Sequence, residues 1–246
     1  MAVNFMVAPT LALGLLLVGV GYKVGKRLRS SWSAGVAMIA AAVLAVPGVL
    51  MVVYYLHLFD SWRMFYEFRS VTGSELAGAG IGLAGGLIAF WGNQVKSVRM
   101  AVVVTLVSVG IAIPYLKPLR YPARFSDFRD MWSGKVCLQS TGSSCGPACA
   151  ATLLRHFGIK ATELEIAREC FTSASGTENW YLARALRRRG LKVLFLTQMP
   201  VGGLPAPCIA GVQEGGAGHF VTVLEDLGMP IGCGIRWPGR AFVGRK

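Results

Sequence analysis

A glutamine and a cysteine in the middle of the chain have the spacing of an oxyanion donor and a nucleophile. Gln139 lies six residues before Cys145, and Cys145-Gly-Pro begins an apolar stretch that predicts a helix to about Phe157. The positive end of the helix dipole should lower the pKa of the thiol, and the thiolate is the nucleophilic form. The Gln139 carboxamide can donate a hydrogen bond to a developing oxyanion beside the backbone N–H of Cys145. This pattern predicts thiol-based attack on a carbonyl group.

His219 is the candidate general base. It begins a predicted strand after the glycine-rich run 215–218. An imidazole at that position can take the thiol proton and later give it to a leaving amine. His219 lies far from Cys145 in the chain, so the fold must bring the two together. We interpret His156 as a structural residue and Cys149 as a small core residue.

Local signals place helices and strands around these residues. The predicted helices run from 145 to about 157, from 162 onward and from 178 to 189, and the predicted strands are 191–196, 208–212 and 219–224. Ser143 or Ser144 can cap the first helix, and Gly158 ends it. Residues 162–165 have the pattern of a capping box, and Gly190 stops the third helix.

Together these features resemble the peptidase C39 family, papain-like cysteine peptidases known best as the leader-cleaving domains of bacteriocin ABC exporters. The resemblance covers roughly Val136 to Glu225 and rests on Gln139-x5-Cys145-Gly-Pro-Ala, Phe157-Gly158, Ser175-Gly-Thr177, Leu182, Ala185, Gly190-Leu191 and Gly218-His-Phe-Val221. It implies a papain-like α+β fold and cleavage of peptide bonds, in the exporters after a double-glycine leader. It also implies that Cys145 is the nucleophile, His219 the general base and Gln139 the oxyanion glutamine.

The chain departs from the family pattern at two positions. Ser144 stands where the exporters often have Asp, and this variant resembles stand-alone, membrane-attached members. The family usually has an Asp about sixteen to eighteen residues after the histidine, whereas this chain has Ile235-Arg-Trp-Pro238 there. Asp226 is the candidate orienting acid, although its position indicates the turn after the strand. Either the acid is absent, or the C-terminus has diverged or been truncated, and a cysteine–histidine pair alone usually works more slowly.

Four apolar runs before the site predict an all-α transmembrane bundle. The runs are at about 5–22, 34–56, 76–91 and 100–116, close to the roughly 20 residues that a helix needs to cross a bilayer. We therefore divide the chain into a membrane domain at 1–117, a linker at 118–134 and a papain-like α+β peptidase domain at 135–246. Gly78, Gly82 and Gly86 offer a face that a membrane partner could approach closely, although a weakly hydrophobic helix has the same spacing.

Composition and motifs exclude several other functions. The formal net charge is +13, but three of the 12 acids and nine of the 25 bases precede Pro118, mostly in short loops between apolar runs. That distribution is typical of membrane loops, and no aromatic-basic nucleic-acid motif is present. Residues 80–85 match a dinucleotide-binding fingerprint, but no βαβ unit surrounds them. Residues 25–27 resemble the end of a phosphate-binding loop, but the other residues of that motif are missing. The sequence therefore predicts no nucleic-acid, nucleotide or cofactor partner.

Three further features leave alternatives open. Four cysteines could form disulfides if their domain faces outward, namely Cys137, Cys170, Cys208 and Cys233. A zinc site is disfavoured because no Cys-x2-Cys spacing occurs. Arg187-Arg-Arg189 is predicted to be a solvated helix end rather than a substrate clamp. The aromatic segment Asp60–Phe68 suits either the membrane interface or an ordinary outer loop.

The charges of the loops predict the orientation in the membrane. The loop after the first run has four bases and no acids, and the loop at 93–99 has two bases and no acids. The positive-inside rule places both loops in the cytoplasm. With four spans, the peptidase domain then lies outside the cytoplasm in a multi-pass protein of the cell membrane, although the bases between 117 and 124 argue against this.

The expected function is that of a membrane-anchored cysteine peptidase. It would cleave a peptide or a protein leader near the membrane surface through a thioester intermediate. Two alternatives stay open on the sequence alone. One is a catalytically impaired or inactive membrane-anchored peptide-binding module, and the other is a thioester-based acyl or peptidyl transferase.

Overall fold

The computed structural model describes residues 4–28, 30–56, 62–91, 95–197, 205–214, 217–224 and 240–245. The described residues divide into two compact units, one comprising 4–56 with 72–116 and the other 62–71 with 117–245. Residues 62–71, which the sequence-based division assigns to the membrane domain, thus cluster with the C-terminal unit. The predicted linker 118–134 also clusters with that unit.

The described residues form helices in both units and strands in the C-terminal unit. The α-helices are α1 Val7–Arg27, α2 Ser31–Val53, α3 Arg63–Ser70, α4 Ile81–Trp91, α5 Lys96–Ala112, α6 Lys117–Arg120, α7 Cys145–His156, α8 Glu163–Glu169 and α9 Asn179–Arg188. The strands are β1 Met131–Ser133, β2 Val136–Leu138, β3 Lys192–Thr197, β4 Cys208–Glu214, β5 Ala217–Val223 and β6 Arg240–Arg245.

The N-terminal unit contains four helical segments that are long and apolar enough to cross a membrane. They are Val7–Arg27, Ser31–Val53, Ser74–Trp91 and Lys96–Tyr115, the third including a 3-10 segment that leads into α4. This confirms the prediction of four candidate spans. The first helix continues past the predicted end at residue 22, because Lys26 and Arg27 fit its last turn, where bases complement the helix dipole.

Glycines of the third candidate span allow close packing within the N-terminal unit. A Cβ on Gly82 would lie 2.0 Å from the Gly14 carbonyl oxygen, and one on Gly86 would lie 2.1 Å from the Val18 carbonyl oxygen. Both carbonyls belong to α1, so the helix backbones touch at positions where any side chain would be excluded. The face that the sequence offers to a membrane partner is therefore covered by α1 of the same chain.

The C-terminal unit places one largely buried helix, α7, against two small antiparallel sheets. Strands β1 and β2 form a hairpin, and the second sheet has the order β3-β6-β4-β5. Every residue of α7 from Cys145 to Leu154 is buried. Strand β6 was not predicted, because its short apolar centre lies between Gly and Arg residues. Pairing with β3 on one side and β4 on the other specifies it as a strand.

The predicted helix ends were confirmed, and the predicted cap of α7 was wrong. Thr162 and Glu165 make both hydrogen bonds of a capping box at α8. Gly158 and Gly190 follow α7 and α9 with φ of +74° and +87°, in the left-handed region that glycine favours. Ser144 occupies the N-cap position of α7 but makes no side-chain cap hydrogen bond. Its hydroxyl instead bonds back to the preceding loop.

Helix α3 packs into the C-terminal unit through aromatic rings. Tyr66 is fully buried and stacks on Phe195 and on Trp180, with ring centroids 5.7 Å and 6.4 Å away. Phe65 meets the Trp180 ring edge-on at 6.2 Å. The connection between the second and third candidate spans thus contributes part of the core of the C-terminal unit, so residues 63–68 form a packed helix and not an ordinary loop. The interfacial alternative stays a prediction, and Asp60 and Ser61 lie outside the described residues.

Polar contacts fix the same helix to α9 and β3. Glu67 bridges to the Arg187 guanidinium at 2.8 Å and accepts the backbone N–H of Phe195 at 3.1 Å. The Arg184 guanidinium donates two hydrogen bonds, at 2.6 Å and 3.1 Å, to the Arg69 carbonyl. The arginine run that was predicted to be solvated therefore makes ion pairs. Arg187 pairs with Glu67, and the next two arginines pair with Glu169.

Candidate active site

Cys145 is the first residue of α7, and its thiol is buried with a relative exposure of 7%. Burial raises the pKa of the thiol above its ordinary value, and hydrogen bonds from the backbone N–H groups of Phe220, Gly146 and Cys145 itself oppose this shift. The expectation of a lowered pKa is thus wrong, because desolvation of the sulfur outweighs the donors around it. A thiol in this state needs a base to become nucleophilic.

Strand β5, which contains His219, packs against α7. The backbone N–H of the next residue, Phe220, opposes the rise in the pKa of the Cys145 thiol. Two residues further on, the Thr222 hydroxyl donates to the Cys149 carbonyl at 3.3 Å, one turn along α7. This hydrogen bond sets the strand against the helix, and the half-buried His219 directly precedes Phe220 in the strand.

Gly146 makes the approach of strand and helix possible. A Cβ at this position would lie 3.0 Å from Leu182 Cδ1 and 3.2 Å from Phe220 Cδ2. Both distances are tighter than ordinary contacts between carbon atoms. Gly146 therefore lets α9 and β5 close around the N-terminus of α7.

Gln139 lies in the loop between β2 and α7, with its side chain exposed. Strand β2 is tied to α7 by a hydrogen bond from the Cys137 backbone N–H to the Thr152 hydroxyl at 2.8 Å. Further along the loop, the buried Ser144 hydroxyl accepts the Thr141 N–H at 2.9 Å and donates to the Thr141 carbonyl at 3.0 Å. The sequence assigned Ser144 to capping and missed this role in closing the turn before the nucleophile.

The orienting acid stays a prediction. Asp226 lies outside the described residues, as does the stretch 235–238 where the family's Asp was expected.

The other described cysteines have the properties of core thiols. All five described cysteines are free, so no disulfide joins Cys137, Cys170 or Cys208 in this part of the chain, and Cys233 lies outside it. Burial raises the pKa of both Cys137 and Cys149 to about 12, and that of Cys208 to about 11. Cys149 is buried, as predicted.

Comparison with known proteins finds a family model that matches part of the chain. The sequence model of the Peptidase C39 family matches residues 133–228, which confirms the resemblance over the stretch that contains Gln139, Cys145 and His219. An uncharacterised protein of Methanothermobacter marburgensis is 37% identical over 90 residues, which are 37% of this chain and 63% of the relative. An uncharacterised protein of Methanothermobacter thermautotrophicus is 34% identical over the same shares. No solved structure matches the chain.

Proposed function

We propose that the protein is a membrane-anchored cysteine peptidase with a papain-like site, in which Cys145 is the nucleophile, His219 the general base and Gln139 the oxyanion donor. The observation that carries the proposal is the hydrogen bond from the Thr222 hydroxyl to the Cys149 carbonyl at 3.3 Å, which joins β5 to α7. It sets the strand that contains His219 against the helix that begins at Cys145. The C39 match over residues 133–228 supports the peptidase class.

The reaction follows from these groups. The His219 imidazole removes the proton from the buried thiol as the Cys145 sulfur bonds to the scissile carbonyl carbon. The exposed Gln139 carboxamide and the Cys145 backbone N–H donate to the oxyanion. The C–N bond then breaks, and the imidazolium gives its proton to the leaving amine. Water attacks the thioester carbonyl as the imidazole accepts a water proton. The C–S bond then breaks, the acid product leaves, and the imidazolium returns the proton to the Cys145 sulfur.

The leader-peptide class of substrate rests on the resemblance to the C39 family. Cleavage of such a peptide beside the bilayer agrees with the four candidate spans that precede the site. Residues 62–71, between the second and third spans, share a compact unit with the residues that follow the fourth span. This supports a four-span arrangement, in which that connection and the peptidase domain lie on the same side of the membrane.

A peptide vinyl sulfone ending in Gly-Gly tests the function in membranes that contain the full chain. We expect a covalent adduct on Cys145, located by peptide mass spectrometry, that persists in Cys149→Ala and disappears in Cys145→Ala. No adduct on Cys145, together with unchanged binding of a Gly-Gly peptide by Cys145→Ala, would indicate the peptide-binding module instead. A product joined to an added amine, in place of the free acid, would indicate the transferase.

The proposed orientation has its own test. Ser31 and Ser126 are exposed and lie on opposite sides of the membrane under this proposal. An impermeant thiol reagent applied to intact cells should label Ser126→Cys and spare Ser31→Cys. The reverse pattern would place the peptidase domain in the cytoplasm.

A further inference from the structure

A buried carboxylate holds the loop that carries Gln139. Glu163 is the first residue of α8 and has no exposed surface. One of its carboxylate oxygens accepts the backbone N–H of Ser140 at 2.9 Å, and the other accepts the Ser140 hydroxyl in a short hydrogen bond. Ser140 directly follows Gln139. Both the main chain and the side chain of the residue beside Gln139 are therefore fixed by one acid.

The acid and the serine are themselves held by a preceding segment. The Glu163 backbone N–H donates to the Asp130 carboxylate at 2.9 Å, and the Arg129 backbone N–H donates to the Ser140 hydroxyl at 2.9 Å. The segment before β1, the loop after β2 and the start of α8 thus form one network. The acceptors of this network include two carboxylates, those of Glu163 and Asp130.

Gln139 lies between two fixed points. On one side, the Cys137 N–H is bound to Thr152 of α7, and on the other side Ser140 is bound to Glu163. The backbone of Gln139 is held on both sides, while the residue itself is exposed. An oxyanion donor is most effective when it is held in place before charge develops, because no reorganisation is then needed during the reaction.

We propose that Glu163 is a positioning residue for the oxyanion site, acting on Gln139 through Ser140. The inference rests on the proposed function, because it needs Gln139 to donate to an oxyanion. Glu163 touches neither the thiol nor the substrate in this account. Removal of the Glu163 carboxylate should therefore weaken oxyanion binding and leave the accessibility of Cys145 unchanged.

Two probes of the full chain separate these effects. A peptide aldehyde ending in Gly-glycinal adds the Cys145 sulfur to its carbonyl carbon and leaves the thiol proton on the former carbonyl oxygen, so its affinity depends on the oxyanion site. Iodoacetamide forms a C–S bond with loss of iodide and needs no oxyanion donor. We expect Glu163→Ala to weaken the aldehyde by about 10-fold or more, as for other supporting residues of a site, with the alkylation rate of Cys145 within about twofold of the original.

A double variant identifies the route of the effect. If Glu163 acts through Gln139, Gln139→Ala with Glu163→Ala should bind the aldehyde no more weakly than Gln139→Ala alone, since residues that act as a unit are not additive. Glu165→Ala is the matched control on the same helix. It removes the capping-box acid, which is exposed, and should leave the aldehyde affinity unchanged.

A milder variant covers the case in which Glu163→Ala does not fold. Ser140→Ala removes only the hydroxyl contact to the acid and should weaken the aldehyde by a smaller factor with normal alkylation. Unchanged aldehyde affinity in Glu163→Ala or Ser140→Ala would overturn the proposal. An alkylation rate of Cys145 that falls as much as the aldehyde affinity would also overturn it. So would a double variant in which Glu163→Ala weakens aldehyde binding as much in the Gln139→Ala protein as in the original chain. An original chain that reacts with iodoacetamide but not with the aldehyde overturns the proposed function, and this inference with it.

Discussion

The Thr222 hydroxyl donates a hydrogen bond to the backbone carbonyl of Cys149 at 3.3 Å. This contact joins α7 to β5, two elements that are distant in the chain. Strand β5 also contains His219, which the family resemblance assigns as the general base. The proposed chemistry depends on this register.

Gly146→Ala should disturb the register. The new methyl group would lie 3.0 Å from Leu182 and 3.2 Å from Phe220, so one of them must move. We expect a loss of about 1–3 kcal/mol in stability, as for other overpacked sites, and slower labelling of Cys145 by the vinyl sulfone. Gly142→Ala, in the loop before α7, has no atom within 4 Å of its new Cβ and is the matched control. Equal behaviour of the two variants would contradict the account.

The alkylation of Cys145 should depend on pH in a defined direction. Burial raises the pKa of this thiol above the ordinary value of 9.0, so the folded protein keeps it protonated at neutral pH. The rate with iodoacetamide should therefore keep rising from pH 7 through pH 9, as the thiolate fraction grows. A rate that is already constant at pH 7 would show that the resting site holds a thiolate and an imidazolium instead.

The docking of α3 should contribute strongly to the stability of the C-terminal unit. Tyr66 is fully buried between Trp180 and Phe195. Tyr66→Ala should cost about 3–5 kcal/mol, as for other large aromatic side chains lost from a core, and should speed hydrogen exchange at the Phe195 N–H. Met64→Ala on the same helix is the control, because Met64 is 71% exposed. Similar exchange rates in both variants would show that α3 is not part of the core in solution.

The glycine contact in the N-terminal unit should tolerate no side chain. A Cβ on Gly82 would lie 2.0 Å from a backbone oxygen, so Gly82→Ala forces the helices apart. Gly19→Ala, on α1, has no atom within 4 Å of its Cβ. We expect a lower melting temperature of the full chain in detergent for Gly82→Ala alone. A melting temperature equal to that of Gly19→Ala would indicate a different packing of these helices.

Local signals in the sequence identified the parts of the site that are set by local structure. Cys145 at a helix start and Gly158 at its end depend only on neighbouring residues, and so does the capping box at 162–165. The resemblance to the C39 family identified Gln139 and His219 as candidate site residues, and both positions lie within the stretch that the family model matches.

The missed features depend on residues that are distant in the chain. Glu67 pairs with Arg187 across 120 positions, and Glu163 holds Ser140 across 23. Neither pair leaves a periodic pattern, so the arginine run was assigned to solvent and Glu163 was seen only as part of a helix start. The predicted direction of the pKa shift of Cys145 was wrong for the same reason, since the desolvation that raises this pKa comes from tertiary packing.

The most direct test of the central claim is the rate at which the vinyl sulfone labels Cys145 at pH 7 in three forms of the full chain. His219→Ala should slow labelling by about 100-fold or more, the usual contribution of a general base. His156→Ala, which alters an exposed histidine at the far end of α7, should leave the rate unchanged. An unchanged rate in His219→Ala, with the fold confirmed by its melting temperature, would contradict the assignment of Cys145 and His219 as a catalytic pair.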